Sequence, residues 1–330
     1  MTSFHRQRRI ATAVATVLAA LALWAAPASA IPAPNVMVAL GDSITKAFNS
    51  DGPGCPTGPS LDCPKNSWST GTNTDVNSQF QRIQAIDPEH DHVAYNYAVS
   101  GARVGTPENQ RPIDLESQAE KAAAEQDPDY VTIEIGGNDA CRSTIADQTP
   151  TDEFRAQVKK ALKDLVREDP QVHIQMLSIP DINQLHELFT DPVPGSTTLA
   201  IDPNAQFRWA AFNTCQALLA NPRSTDTADV ERRVAFQDQV IAYNGALAEV
   251  CAKFARCLFD NNAVFDIELT TADVANVTNT AALPGDDVFD TFPVFGEGAI
   301  PGSTADYFHP SLLGQAGLAE VSWNATFPIE

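Results

Sequence analysis

Short apolar, β-rich runs alternate with helical patterns along most of this chain, and no other feature constrains its fold as strongly. Val36 to Leu40 is an apolar run bounded by Asn35 and Gly41. Val93, Tyr95, Tyr97 and Val99 alternate with smaller residues and lead into Ser100-Gly101. Tyr130 to Ile135 ends at Gly136-Gly137, Val172 to Leu177 ends at Ser178-Ile179-Pro180, and Cys257 to Phe259 is a fifth run. Between the third and fourth runs, Phe154, Val158, Ala161, Leu162, Leu165 and Val166 recur at helical spacing. Leu115 to Gln126, Val230 to Phe254 and Leu312 to Val321 are further helical stretches. Strands that alternate with helices pair in parallel, because each helix carries the chain back to the starting end and covers a face. The expected fold is α/β, a three-layer α/β/α arrangement around a mostly parallel sheet of about five strands. Ligands of such sheets bind beyond the carboxyl ends of the strands.

Chemistry is therefore expected in the segments that follow the strands. Ser43, in Gly41-Asp42-Ser43, follows the first strand and is expected to open a helix running through Phe48. There its N–H and side chain would sit at the positive end of the helix dipole. A lone Gly-Asp-Ser fits an ordinary helix cap equally well, so the reading depends on a general base for the serine. Histidine is scarce enough to search by elimination. His5 lies in the N-terminal segment, His90 and His92 precede the second strand, and His173 sits inside the fourth. His186 follows the fourth strand and is a candidate substrate contact. His309 has Asp306 three residues earlier and Pro310 after it, so the carboxylate can orient the imidazole and stabilise its protonated form. Ser43, His309 and Asp306 are thus the candidate nucleophile, base and orienting acid. Oxyanion donors are the backbone N–H groups of Ser43 and Gly101 and the side-chain amide of Asn138. Asp42 and Asp139 have no histidine partner and read as carboxylates that hold loops.

The N-terminus has the layout of a secretory signal peptide: Arg6, Arg8 and Arg9, an apolar run from Ile10 to Ala26, then Ala28-Ser29-Ala30 as a cleavage site. The run is shorter than the ~20 residues a spanning helix needs. Residues 1–30 are expected to be removed and 31–330 to form a single domain with long loop insertions. Loss of three arginines and no acids deepens the formal charge from -21 to -24. So acidic a surface repels nucleic acid and anionic membranes at long range and suits a secreted, extracellular protein. The six cysteines, all after residue 30, read as three disulfides among 15 possible pairings. Proximity favours Cys55–Cys63 and Cys251–Cys257, which leaves Cys141–Cys215. No C-x-x-C pair or histidine at ligand spacing suggests zinc.

Three stretches break the regular layout: Asn49 to Asp75, Thr190 to Ser224 and Val274 to Thr304. The last precedes the Asp306–His309 pair and carries Phe289, Phe292 and Phe295, the candidate walls of a substrate pocket or lid. Trp209 and Phe212 are candidates for a second wall. Asp286, Asp287 and Asp290 form an acidic cluster that reads as a solvated loop rather than a calcium site.

Gly41-Asp42-Ser43-Ile44, Asn96 to Ala102, Ile135-Gly136-Gly137-Asn138-Asp139 and Asp306-Tyr307-Phe308-His309-Pro310 resemble, in order, the four blocks of the SGNH (GDSL) hydrolases. Ile44 stands where the family name has leucine. The resemblance covers Val36 to Val321 and implies a flavodoxin-like fold, Ser43 as nucleophile, His309 as base and then acid, Asp306 as its orienter, and an oxyanion hole from Ser43, Gly101 and Asn138. Ala140-Cys141 after the third block, and Cys63-Pro64 leading to Ser67-Trp68-Ser69, resemble the phospholipase B-like secreted bacterial branch. An α/β-hydrolase elbow, Gly-x-Ser-x-Gly, is absent at Ser43 and at every serine after residue 30.

The expected activity is ester hydrolysis through an acyl-enzyme on Ser43 by a monomer that needs no cofactor or metal. Lipid or phospholipid esters are the first expected substrates, a carbohydrate O-acetylesterase is the alternative, and a catalytically silent exported binding protein is a third reading.

Overall fold

The computed structural model describes residues 30–52, 54–56, 61–105, 113–190, 203–274 and 306–330. Five strands, β1 (Val36–Gly41), β2 (Val93–Asn96), β3 (Tyr130–Glu134), β4 (His173–Met176) and β5 (Cys257–Phe259), form one parallel sheet in the order β2-β1-β3-β4-β5. This is the flavodoxin-like strand order, whose direction of winding reverses between β1 and β3. That reversal opens a crevice at the carboxyl ends of the two strands, and Ser43 and Asn138 follow those ends.

Nine helices are found among the described residues: α1 (Gln79–Ile86), α2 (Leu115–Gln126), α3 (Gly137–Ala140), α4 (Thr151–Glu168), α5 (Asn183–Thr190), α6 (Pro203–Ala211), α7 (Gln216–Leu219), α8 (Thr227–Cys251) and α9 (Leu312–Asn324). α2, α4 and α8 pack side by side over one face of the sheet, and α1 and α9 cover the other. The third irregular stretch falls almost wholly outside the described residues, and the second contains α6 and α7. Phe289, Phe292, Phe295 and the acidic cluster at 286–290 lie outside the described residues. Residues 1–29 of the signal-like segment do so too.

Side chains alternate across a strand, so each strand contributes to both layers. Val38, Leu40, Val131, Ile133, Ile174 and Met176 point into the layer of α2, α4 and α8, where they meet Phe154, Val158, Leu162, Phe236 and Tyr243. Phe154 and Tyr243 stack with ring centroids 4.1 Å apart. This layer is apolar. The opposite layer is not. The Ser69 and Thr132 hydroxyls bond at 2.7 Å, Gln79 Nε2 donates to Gln175 Oε1 at 2.7 Å, Tyr130 donates to Gln79 at 2.9 Å, and Gln175 Nε2 donates to the Ser322 carbonyl at 2.6 Å. These bonds let polar strand residues face inward without an unpaired donor or acceptor.

Glu134 is the exception in that layer. It is fully buried at the end of β3, and neither carboxylate oxygen has a hydrogen-bond partner among the described residues. Burial raises its pKa well above the usual carboxylate value, and the nearby Asp42 and Asp260 push it the same way. A folded-state pKa above the unfolded one contributes stability that is complete at acid pH and is lost as pH rises, at about 1.4 kcal/mol per pH unit between the two values. Glu134→Gln, neutral at every pH, is expected to raise Tm by an amount that grows from pH 5 upward and vanishes near pH 4. Calorimetric melts of both proteins across that range check the sign; a gain largest at pH 4 would contradict it.

All three disulfides form in the expected pairs. Cys141–Cys215 ties the end of α3 to the residue before α7, and Cys251–Cys257 closes the link from α8 to β5. Ile31 donates to the Pro328 carbonyl at 2.8 Å and accepts from Glu330 at 3.0 Å, so residues 31–33 and 328–330 run side by side. No helix among the described residues is long and apolar enough to cross a membrane.

Candidate active site

The end of β1 is built around Gly41, whose φ of +147° is one that residues with side chains rarely adopt. A Cβ there would lie 2.2 Å from the Glu134 carbonyl oxygen and 2.6 Å from Thr45 Oγ1. Gln118 of α2 holds the same residue from both sides: the Gly41 N–H donates to its Oε1 at 2.8 Å, and its Nε2 donates to the Gly41 carbonyl at 2.9 Å. From this fixed point the chain turns sharply into Asp42 and Ser43.

The expected helix after Ser43 is instead a series of tight turns. Lys46 N–H bonds to Asp42, Ala47 N–H to Ile44 and Phe48 N–H to Ser43, at three different spacings. Ala47 and Asn49 take left-handed conformations, φ +51° and +53°, which no regular helix accommodates. The irregular winding leaves the Ser43 N–H without a helical partner. Among the described residues nothing accepts from the backbone N–H of Ser43 or of Gly101. Gly101, at φ +85°, lies in a turn held beside the Ser43 turn by the Val99 N–H, which bonds to the Gly41 carbonyl at 3.1 Å.

His309 Nε2 is 2.8 Å from Ser43 Oγ, and its Nδ1 is 2.6 Å from Asp306 Oδ2. The carboxylate only accepts, so the proton of neutral His309 resides on Nδ1, and Nε2 is left to accept from the serine hydroxyl. Asp306 is itself anchored: its Oδ1 accepts from the N–H groups of Phe308 and His309, both at 2.9 Å, and its Oδ2 accepts from Asn49 Nδ2 at 2.7 Å. Burial alone would raise the Asp306 pKa. The positive charge and hydrogen bonds of His309, with the Asn49 bond, outweigh burial and hold the carboxyl below its usual value, ionised. The imidazole rests against Phe48, centroids 4.7 Å apart, and Phe308, 5.2 Å.

Asn138 is the second residue of the short helix α3 after β3. Its Nδ2 donates to the Ala102 carbonyl at 3.0 Å and, over a longer 3.2 Å, to Asp42 Oδ2. Asp42 also caps the nucleophile turn through the Ile44 N–H at 2.9 Å. Burial pushes its pKa up to about 6, against the Ile44 bond, the His309 charge and the Asn138 bond. Asp139 accepts from Val104 N–H and Thr149 Oγ1, and burial pushes it to about 7. Both carboxylates hold loops, as expected.

Two candidates from the sequence are displaced. Trp209 is fully buried, donates to the Tyr307 carbonyl at 3.1 Å and packs edge-on against Phe189, while Phe212 is exposed; neither lines the cavity beside Ser43. An aromatic in an irregular stretch announces burial but not what it is buried against. His186 accompanies Val230 and Arg233 in a separate surface groove and lies 2.5 Å from the Pro222 carbonyl oxygen. Asn49 and Gln118 were missing from the sequence reading. Their partners are 257 and 77 residues away, and no local pattern marks them.

A cavity of about 80 Å³ opens beside Ser43 and His309. Asp42, Ser43, Asn138 and His309 line it together with Ile182, Leu185, Ile267, Leu269 and Leu318, and Asp273 adds one more polar residue beside Gly314.

Residues 37–321 match the family model described as GDSL-like Lipase/Acylhydrolase. The chain belongs to this family. As a GDSL-type protein it is an SGNH-class ester hydrolase. It is similar to the membrane-associated phospholipase B1 of Rattus norvegicus, 28% identical over 181 residues, which are 48% of this chain and only 12% of that protein. Similar solved structures include an extracellular lipase from Streptomyces rimosus, at 16% identity and a TM-score of 0.42, covering 88% of this chain and 100% of that one. A family two carbohydrate esterase from Clostridium thermocellum matches at 14% and 0.45, covering 91% of this chain and 64% of that one. Phospholipase A1 from Streptomyces albidoflavus matches at 15% and 0.41, covering 88% and 99%.

Proposed function

We propose that this GDSL hydrolase is a secreted esterase of lipid-type substrates that works through an acyl-enzyme on Ser43. The observation that carries the reading is the continuous chain of hydrogen bonds Ser43–His309–Asp306 at the mouth of a cavity with apolar walls. In the proposed reaction His309 Nε2 takes the serine proton as Oγ attacks the ester carbonyl. The N–H groups of Ser43 and Gly101 and the Asn138 amide receive the developing oxyanion. His309 then returns the proton to the leaving alcohol. A water, deprotonated by the same imidazole, releases the acid and restores the serine. Three disulfides and the signal-like N-terminus support action outside the cell.

The test combines a trap with a substrate panel. A fluorophosphonate is expected to add its mass to the peptide containing Ser43 and to abolish hydrolysis of chromogenic esters, phospholipids or acylglycerols. Hydrolysis that survives complete labelling would refute the acyl-enzyme. Activity confined to acetylated sugars would refute the lipid reading, and inactivity on every ester would refute both.

A further inference from the structure

Two glycines interrupt α9 where it borders the cavity, Gly314 and Gly317, and the surroundings give them different reasons to be there. A Cβ on Gly314 would lie 2.1 Å from the Asp273 carbonyl oxygen, so close backbone packing requires that glycine. Among the described residues, a Cβ on Gly317 would meet nothing within 4 Å. Its φ is not in the left-handed region either. Neither its described neighbours nor its backbone geometry demand glycine at 317, where a helix disfavours it relative to alanine. What the missing side chain leaves is open space in the wall of an apolar cavity, one turn from Gly314 on the same side of the helix.

We propose that this cavity is the acyl-chain site and that Gly317 keeps it open to fatty acyl groups longer than acetyl. The proposal rests on the reading of Ser43 as nucleophile. With the ester carbonyl beside Ser43, the acyl chain runs between α9 on one side and Ile182, Leu185 and Ile267 on the other. Apart from the catalytic end, these walls offer an acyl chain little but hydrocarbon, so each methylene they take from water improves binding about fourfold. A sugar hydroxyl pressed against them would lose its water without gaining a partner. The alcohol part of the substrate is left to the open side of the site.

The test measures kcat/KM for a series of p-nitrophenyl esters from acetate to palmitate. Wild type is expected to prefer butyrate over acetate by at least tenfold. Gly317→Leu places a branched side chain in the acyl path and is expected to lower the butyrate-to-acetate ratio at least tenfold. Ile267→Trp narrows the same path from the opposite wall and should move the ratio in the same direction. Because each ratio is internal to one protein, a general loss of folded enzyme does not mimic the effect. If Gly317→Leu fails to fold, Ile267→Trp alone decides. An active wild type whose ratio stays within twofold in the folded variants overturns the acyl site while leaving the Ser43 mechanism standing. A wild type that prefers acetate likewise overturns it. A wild type inactive on the whole series refutes the reading of the site as a lipid esterase, on which the acyl site rests.

Discussion

His309→Ala is expected to lower kcat by about 10⁴- to 10⁶-fold with KM little changed. Among the described residues, nothing else near Ser43 can replace the imidazole: the carboxylates of Asp42 and Asp139 are committed to backbone and hydroxyl donors. Without the base, the serine hydroxyl must lose its proton to bulk water at the moment of attack. Ser43→Ala should cost about as much, and the double variant no more than either alone, because the two act as one unit. Asp306→Asn should cost about 10⁴-fold, because the amide nitrogen that replaces Oδ2 no longer accepts from His309 Nδ1 or Asn49 Nδ2. Steady-state kinetics on a chromogenic ester, with melting curves to establish folding, check all four. A folded His309→Ala enzyme retaining more than 1% of kcat would remove histidine from the mechanism.

Loss of the Cys141–Cys215 disulfide, by Cys141→Ser with Cys215→Ser, is expected to cost about 4 kcal/mol and about 10 °C in Tm. The crosslink joins residues 74 apart, and closing a loop of that length withdraws a large share of the unfolded chain's freedom. Activity should suffer beyond the stability loss. Cys141 caps α3, three residues after Asn138, so the bond holds down the far end of the turn that presents the amide. A fall in kcat at a temperature where the variant is fully folded would show that the donor has lost its aim. A Tm within 2 °C of wild type would mean that packing between α3 and α8 already holds the turn.

The strands were legible because buried parallel strands are nearly continuous apolar runs, and β1 needs nothing more to be seen. β3 was found despite Thr132 and Glu134, since the flanking Val131 and Ile133 dominate the pattern. What the pattern could not convey is why polar residues face inward there. Thr132 and Gln175 find partners in Ser69 and Gln79, on segments remote in sequence, and such pairings follow from the completed fold. The candidate serine, histidine and aspartate were legible for a chemical reason: few histidines exist, and although His90 and His92 also have a carboxylate three residues earlier, only His309 has one and lies away from the start of a strand. Asn49 carries no such mark. It sits in the nucleophile's own turn yet serves the aspartate at the other end of the chain. The acyl cavity escaped notice because its walls are assembled from α5, α9 and the 264–274 loop, no one of which is unusual in composition.

Ser43 and His309 touch across 266 residues, and this separation has a consequence for when activity arises. The nucleophile lies near the start of the folded domain and the base just before its last helix. Gln315 of that helix seals the junction by donating to the Ile44 carbonyl and accepting from the Trp68 N–H. Contacts of such long range form late, after the intervening chain has collapsed. A chain in which α9 and the turn before it have not yet docked holds Ser43 apart from His309, so activity is expected to appear only with that docking.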